Sequence, residues 1–216
     1  MQPRFRILSG LVSLFVAQLL VFCAPTVGNA QQLPPISAET QKRILFEPGV
    51  PLLGSKSADV TVTEYFDYNC PFCKALAPAF QPLVEKDHAA AVVFKEWPVF
   101  GGVSVYAAQS ALAASFQGKY LQAHDALMAA PRLGDNSQVE SALASAGIDM
   151  ARLHRDLIAK RAAIDQLLMR NNAEARGLGL RGTPGVLVGR RIVSGISSLE
   201  ALESAVTLSR RMDAKR

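Results

Sequence analysis

The sequence predicts an α/β fold in which one sheet is assembled from two separated parts of the chain, with a helical block inserted between them. Three observations carry this expectation. Residues 58–98 read as strand–helix–strand, residues 102–179 show helical periodicity, and the chain from residue 185 returns to strand–strand–helix. The expected organisation is a leader over 1–30, a lead-in or linker over 31–57, a first sheet part over 58–98, the helical insertion over 99–178, a second sheet part over 179–212 and a tail over 213–216.

Each element has a local reason. The lead-in holds Pro34, Pro35, Pro48 and Pro51 and has room for one helical turn near Lys42–Phe46. In the first strand, Val60, Val62, Glu64 and Phe66 alternate with Thr61, Thr63 and Tyr65. A helix follows from Pro71 to Lys86. Pro71 suits its first turn, where a missing N–H costs nothing, and Pro78 and Pro82 are expected to kink it. Ala91–Trp97 is the second strand, ended by Pro98. Val103–Phe116 and Lys119–Met128 open the helical block. Ser137 with Glu140 forms a capping box, and Asp149 caps a further helix. Ile164, Leu167, Leu168, Met169 and Ala175 form an apolar stripe on a helix over Ala162–Arg176. Gly185–Val188 and Arg191–Val193 flank a Gly189-Arg190 turn as a hairpin. A last helix opens at Ser197, with Glu200 completing its box.

The chain has 216 residues, 50% hydrophobic and 19% charged, which is a globular composition rather than a disordered one. Its net charge of +5 includes Arg4 and Arg6 at the extreme N-terminus. The remaining excess is spread along the chain and gives no argument for nucleic acid. Those two arginines, the apolar run Ile7–Phe22, and Gly28 and Ala30 together read as a cleavable secretory signal. A retained membrane anchor is the competing reading, but a spanning helix needs roughly 20 apolar residues. Use of Cys23 as a lipoprotein site is disfavoured by the bulky Phe22 before it. Cleavage after Ala30 would leave Cys70 and Cys73 as the cysteines of an exported, periplasmic protein, in a compartment where disulfides persist. A pair this close in sequence is a poor staple, because a short loop removes little unfolded-state entropy.

Cys70-Pro71-Phe72-Cys73 stands after a strand and at the start of a helix. There the unpaired backbone N–H groups and the positive end of the helix dipole favour thiolate over thiol. Cys70 is therefore the expected nucleophile. Cys73, one turn further in, is the expected resolving thiol. The competing reading is half a zinc site. Zinc needs three or four ligands, no second cysteine pair exists, and His88, His124 and His154 lie in helical or linking segments. No metal and no cofactor is expected. Gly177-Leu178-Gly179-Leu180-Arg181-Gly182 fits a dinucleotide-binding pattern, but that pattern needs a strand before it and a helix after it. Here the order is reversed, so the glycines are read as a helix end.

The stretch Glu64-Tyr65-Phe66-Asp67-Tyr68-Asn69-Cys70-Pro71-Phe72-Cys73-Lys74 resembles the active-site segment of the DsbA-type periplasmic disulfide oxidoreductases. The resemblance extends through Phe94-Lys95-Glu96-Trp97-Pro98 and the helical block to Gly182-Thr183-Pro184. It implies a thioredoxin-like fold with an inserted helical domain. It also implies that Cys70 and Cys73 are the redox cysteines and that Pro184 is a cis-proline lying against them. Thr183 would then offer its backbone to an extended substrate, with Pro71 and Phe72 also on the substrate side. Glu64 matches a buried acid of the family that relays a proton for Cys73. Lys95, on the neighbouring strand, is a candidate partner for Glu64 or a solvated side chain. Phe72 departs from the family, which often has histidine there. It cannot stabilise the Cys70 thiolate by charge, so a strongly oxidising character is not implied.

The function expected from these residues is thiol–disulfide exchange in exported proteins, as a disulfide-donating oxidase. Its partners would be proteins with reduced or mispaired cysteines and a membrane redox partner that resets the site. An isomerase or reductase kept reduced is the alternative within the same chemistry. A non-catalytic chaperone or binding module is the alternative outside it. A monomer is expected, because residues 31–57 look too short and proline-rich for an oligomerisation arm.

Overall fold

A computed structural model describes residues 34–214. The expected signal segment therefore lies outside the described residues. The elements are α1 (Ala38–Leu45), β1 (Leu52–Gly54), β2 (Val60–Phe66), α2 (Pro71–Leu76), α3 (Phe80–Lys86), β3 (Ala90–Glu96), α4 (Gly102–Ala114), α5 (Tyr120–Ala129), α6 (Asn136–Ser145), α7 (Met150–Ala159), α8 (Arg161–Gly177), β4 (Gly185–Val188), β5 (Arg191–Val193) and α9 (Leu199–Asp213). The sheet order is β1-β3-β2-β4-β5, with β2 and β3 parallel and the other neighbours antiparallel. This is the thioredoxin-like arrangement with α4–α8 inserted between β3 and β4.

Every residue of β2 and β3 is buried, since helices cover both faces of the sheet's centre. One face carries the large core, where Val62, Phe66, Val92 and Phe94 meet α2, α3, α9 and the inserted helices. The other carries a smaller cluster of Ile44, Tyr65, Trp97, Ala175 and Leu187. No helix among the described residues is long and apolar enough to cross a membrane.

The lead-in is not a linker. Ser37 caps α1 by accepting a hydrogen bond from the Thr40 amide at 3.0 Å, and β1 pairs antiparallel with the edge of β3. The Ile36 amide and the Arg190 side chain tie this segment to the β4–β5 turn. The helix after Pro71 breaks as expected at Pro78, which sits in a 3-10 turn, Ala77–Ala79. Pro82 does not kink the chain, because it falls in the first turn of α3, where no N–H is needed. Two caps shift by one or two residues. Asp135, not Ser137, caps α6, and the Ser137 hydroxyl donates to Asp135 instead. Ser198, not Ser197, caps α9. Asp149 caps α7 by accepting from the Arg152 amide. After α8, Gly179 adopts φ +76° and the Leu180 amide returns to the Ala175 carbonyl, so the glycine-rich run closes a helix.

Candidate active site

The site forms where β2 ends. Asp67 turns the chain, and its carboxylate accepts from the amides of Asn69, Val99 and Phe100 and from the Ser104 hydroxyl, at 2.6–2.9 Å. This single buried side chain fastens the loop before the cysteines to the start of the insertion. Asn69 exchanges two hydrogen bonds with the backbone of Leu133. Beyond the cysteines, the Lys74 ammonium donates to the carbonyls of Leu127, Met128 and Ala130 at the end of α5. That is where a cation best meets unpaired helix carbonyls. The residues flanking the Cys-Pro-Phe-Cys turn thus anchor it to the inserted domain from both sides.

Cys70 is the N-cap of α2, with Pro71 following in the first turn. Both cysteines are free thiols and buried. The Cys73 amide donates to Cys70 Sγ at 3.4 Å, which is the hydrogen bond that a thiolate at an N-cap would accept. Cys70 Sγ lies 3.2 Å from the Thr183 carbonyl oxygen, to which its thiol donates. The Thr183–Pro184 bond is cis. Phe72 is 73% exposed, at the rim of a cleft of about 510 Å³ that Leu180, Pro184, Val186, Ile192 and Ile196 also line.

Glu64 lies within the sheet beneath the cysteines. It is fully buried, and neither carboxylate oxygen has a hydrogen-bond partner among the described residues. Burial pushes its carboxyl well above the usual range, and the nearby Cys70 and Glu96 push it further. Burial likewise raises the Cys73 thiol strongly, and the Glu64 charge adds to this. The structure therefore brings Glu64, Cys70, Cys73, Thr183 and Pro184 together and leaves Phe72 facing outward.

Lys95 does not pair with Glu64. The parallel register sets Glu64 opposite Phe94, so Lys95 projects to the other face, where it meets Glu47 at 2.8 Å and Glu174 at 2.9 Å. Sequence reading missed Glu96, which shares the Glu64 face and accepts from the hydroxyls of Tyr68 and Tyr120 at 2.8 and 2.9 Å. Its signal was two consecutive charges, Lys95-Glu96, in a strand buried on both faces: one must point each way.

Comparison with known proteins agrees with this geometry. Residues 61–207 match the model of the DSBA-like thioredoxin domain. A thioredoxin-like oxidoreductase from Silicibacter pomeroyi DSS-3 superposes with a TM-score of 0.73 at 36% identity, over 79% of this chain and 97% of that one. The thiol-disulfide exchange protein alpha-DsbA2 from Wolbachia pipientis gives 0.71 at 27% identity, over 78% and 91%. A periplasmic thioredoxin-like protein from Salmonella enterica serovar Typhimurium gives 0.67 at 26% identity, over 81% and 97%. A curated relative, Na(+)/H(+) antiporter NhaA 1 of Salinispora arenicola, is 30% identical over 164 residues, which is 71% of this chain. The matched stretch covers 24% of that protein's length. The chain belongs to the DSBA-like thioredoxin domain family.

Proposed function

We propose that this protein catalyses thiol–disulfide exchange in exported proteins and acts as a disulfide-donating oxidase through Cys70 and Cys73. The observation that carries the reading is the cysteine pair at the α2 N-terminus, with the Thr183 carbonyl on one side and an unpartnered buried acid below.

In the oxidised enzyme a substrate thiolate attacks Cys70 Sγ. The Cys70–Cys73 bond breaks, a mixed disulfide forms at Cys70, and Cys73 leaves as a thiolate. Burial makes that thiolate costly, and Glu64 in its protonated form supplies the proton. The second substrate thiolate then attacks the substrate sulfur of the mixed disulfide and releases Cys70 as a thiolate. The helix N-terminus and the Cys73 amide stabilise it. Two electrons have passed to the enzyme, and a membrane redox partner accepts them to restore the disulfide. Thr183 pairs with extended substrate through its backbone, and Phe72 and Pro184, which line the cleft, form the apolar contact surface together with the exposed Pro71.

Similarity to a periplasmic relative and the N-terminal sequence pattern support export. The tying of residues 36–54 into this domain's own sheet supports a monomer. The isomerase or reductase reading shares every step but starts from the dithiol. The resting state in the cell separates the two. Alkylation trapping should find Cys70 and Cys73 mainly joined, whereas a mainly reduced pair would assign the protein to the isomerase or reductase side.

A further inference from the structure

The face of the sheet beneath the cysteines holds two acids in unequal surroundings. Glu64 on β2 and Glu96 on β3 are both buried on the same side of adjacent parallel strands, two register positions apart. Glu96 Oε1 accepts hydrogen bonds from two phenols, Tyr68 and Tyr120. Glu64 accepts none. His124 Nδ1 lies 3.2 Å from the Tyr68 oxygen; with the Tyr68 proton directed at Glu96, the His124 ring N–H donates to that oxygen. His124 is buried and held neutral, its basicity lowered by burial to about 3. No lysine, arginine or charged histidine pairs with either acid among the described residues.

We propose that Glu96 is a positioning residue for the thiol–disulfide chemistry: as the hydrogen-bonded member of this pair it takes the negative charge first and so keeps a proton on Glu64, beside Cys73. This deepens the functional reading above and rests on it. The physical basis is that two close carboxyls in a dry site do not ionise together, and the one with donors aimed at it ionises first. Burial raises both acids, but the two phenols pull Glu96 back down, while the charge of Glu96 raises Glu64 further. The other ionisable groups around the pair are Asp67, Tyr68 and Cys70 from the loop, Cys73 and Lys74 from α2, and Tyr120 and His124 from α5. Among them Asp67 acts on Glu96 by disfavouring its charge, and Lys74 is committed to the α5 carbonyls.

The test is the pH dependence of the rate at which dithiothreitol reduces the oxidised full-length protein, expressed per dithiothreitol thiolate. The wild type should lose rate at high pH as Glu64 gives up its proton and Cys73 loses its donor. Glu96→Gln still accepts from both phenols but carries no charge. It should move that limb to lower pH by about one unit, the size expected for a charge several ångströms away in a protein interior. Tyr120→Phe, which removes one donor and keeps both acids, should move it in the same direction by less. Glu64→Gln should abolish the limb. A redox-difference infrared spectrum supplies a second readout: the protonated-carboxyl band should vanish in Glu64→Gln and titrate at lower pH in Glu96→Gln. A limb and band unmoved in folded Glu96→Gln or Tyr120→Phe, with the limb still lost in Glu64→Gln, would overturn the proposal. A wild type that dithiothreitol does not reduce would overturn the functional reading itself, and this inference with it.

Discussion

On one face of β2 and β3, buried charge is matched group by group. Lys95 is fully buried, yet it meets Glu47 and Glu174, Arg170 pairs with Glu47, and the Tyr65 hydroxyl donates to Glu174 at 2.7 Å. These contacts join β2, β3, α8 and the loop after α1. On the opposite face the next residues along the same strands, Glu64 and Glu96, are as deeply buried and have no cation. The difference shows two uses of burial. A charge with partners holds elements in register and stays charged. An acid with neither a cation nor a hydrogen-bond donor, as Glu64 is, keeps its proton, which makes it available to a sulfur that needs one.

Removing one partner from the matched face should produce the largest effect. Lys95→Met leaves the nearly buried Glu174 without its cation and Glu47 with Arg170 alone, and should cost about 3–5 kcal/mol of stability, read by urea unfolding. A loss below about 1 kcal/mol would mean that the two faces do not differ in this way.

Glu64→Gln should do the reverse. Burial raises the folded-state proton affinity of Glu64, so above about pH 4.5 the unfolded chain releases a proton that the folded chain keeps. Wild-type stability therefore falls as pH rises, by up to about 1.4 kcal/mol per unit for this group. Glu96 adds to the same slope until the pH reaches its own raised value. His124 acts on the other side: its folded value is about 3 against 6.5 unfolded, so its neutral form is fully favourable above 6.5 and stability is lost as pH falls toward 3. The gain of Glu64→Gln over wild type should therefore grow between pH 5 and pH 8 in urea titrations. A difference that does not change with pH would show that Glu64 is already ionised in the folded protein.

The parts legible in the sequence were those with a local signature. Cys70 and Cys73 at a strand–helix junction, the strand alternation from Val60 to Phe66, the inserted helical block and the hairpin at Gly189-Arg190 are all short-range patterns. What was missed depends on distant contacts. β1 has three residues, too few for a periodic signal, and exists because the edge of β3 pairs with it. The partner of Lys95 could not be read, because it depends on strand register and on where α8 packs. The contact of Glu96 with Tyr120 brings β3 against α5, which no spacing reveals. Asp135 rather than Ser137 capping α6 is the usual uncertainty of one or two residues at helix ends.

The most direct test of the account is to trap its covalent intermediate. Purified Cys70→Ser and Cys73→Ser proteins would each be prepared as the mixed disulfide with glutathione where a thiol allows, then given a reduced cysteine-bearing peptide and read by mass spectrometry without reductant. The account predicts that the Cys73→Ser protein exchanges through Cys70 and accumulates a stable peptide mixed disulfide, because the resolving thiol is gone, while the Cys70→Ser protein forms none, because its remaining thiol lies inside α2 with its thiolate disfavoured by burial and by Glu64. Adducts on Cys73 in the Cys70→Ser protein, with none on Cys70 in the Cys73→Ser protein, would contradict it.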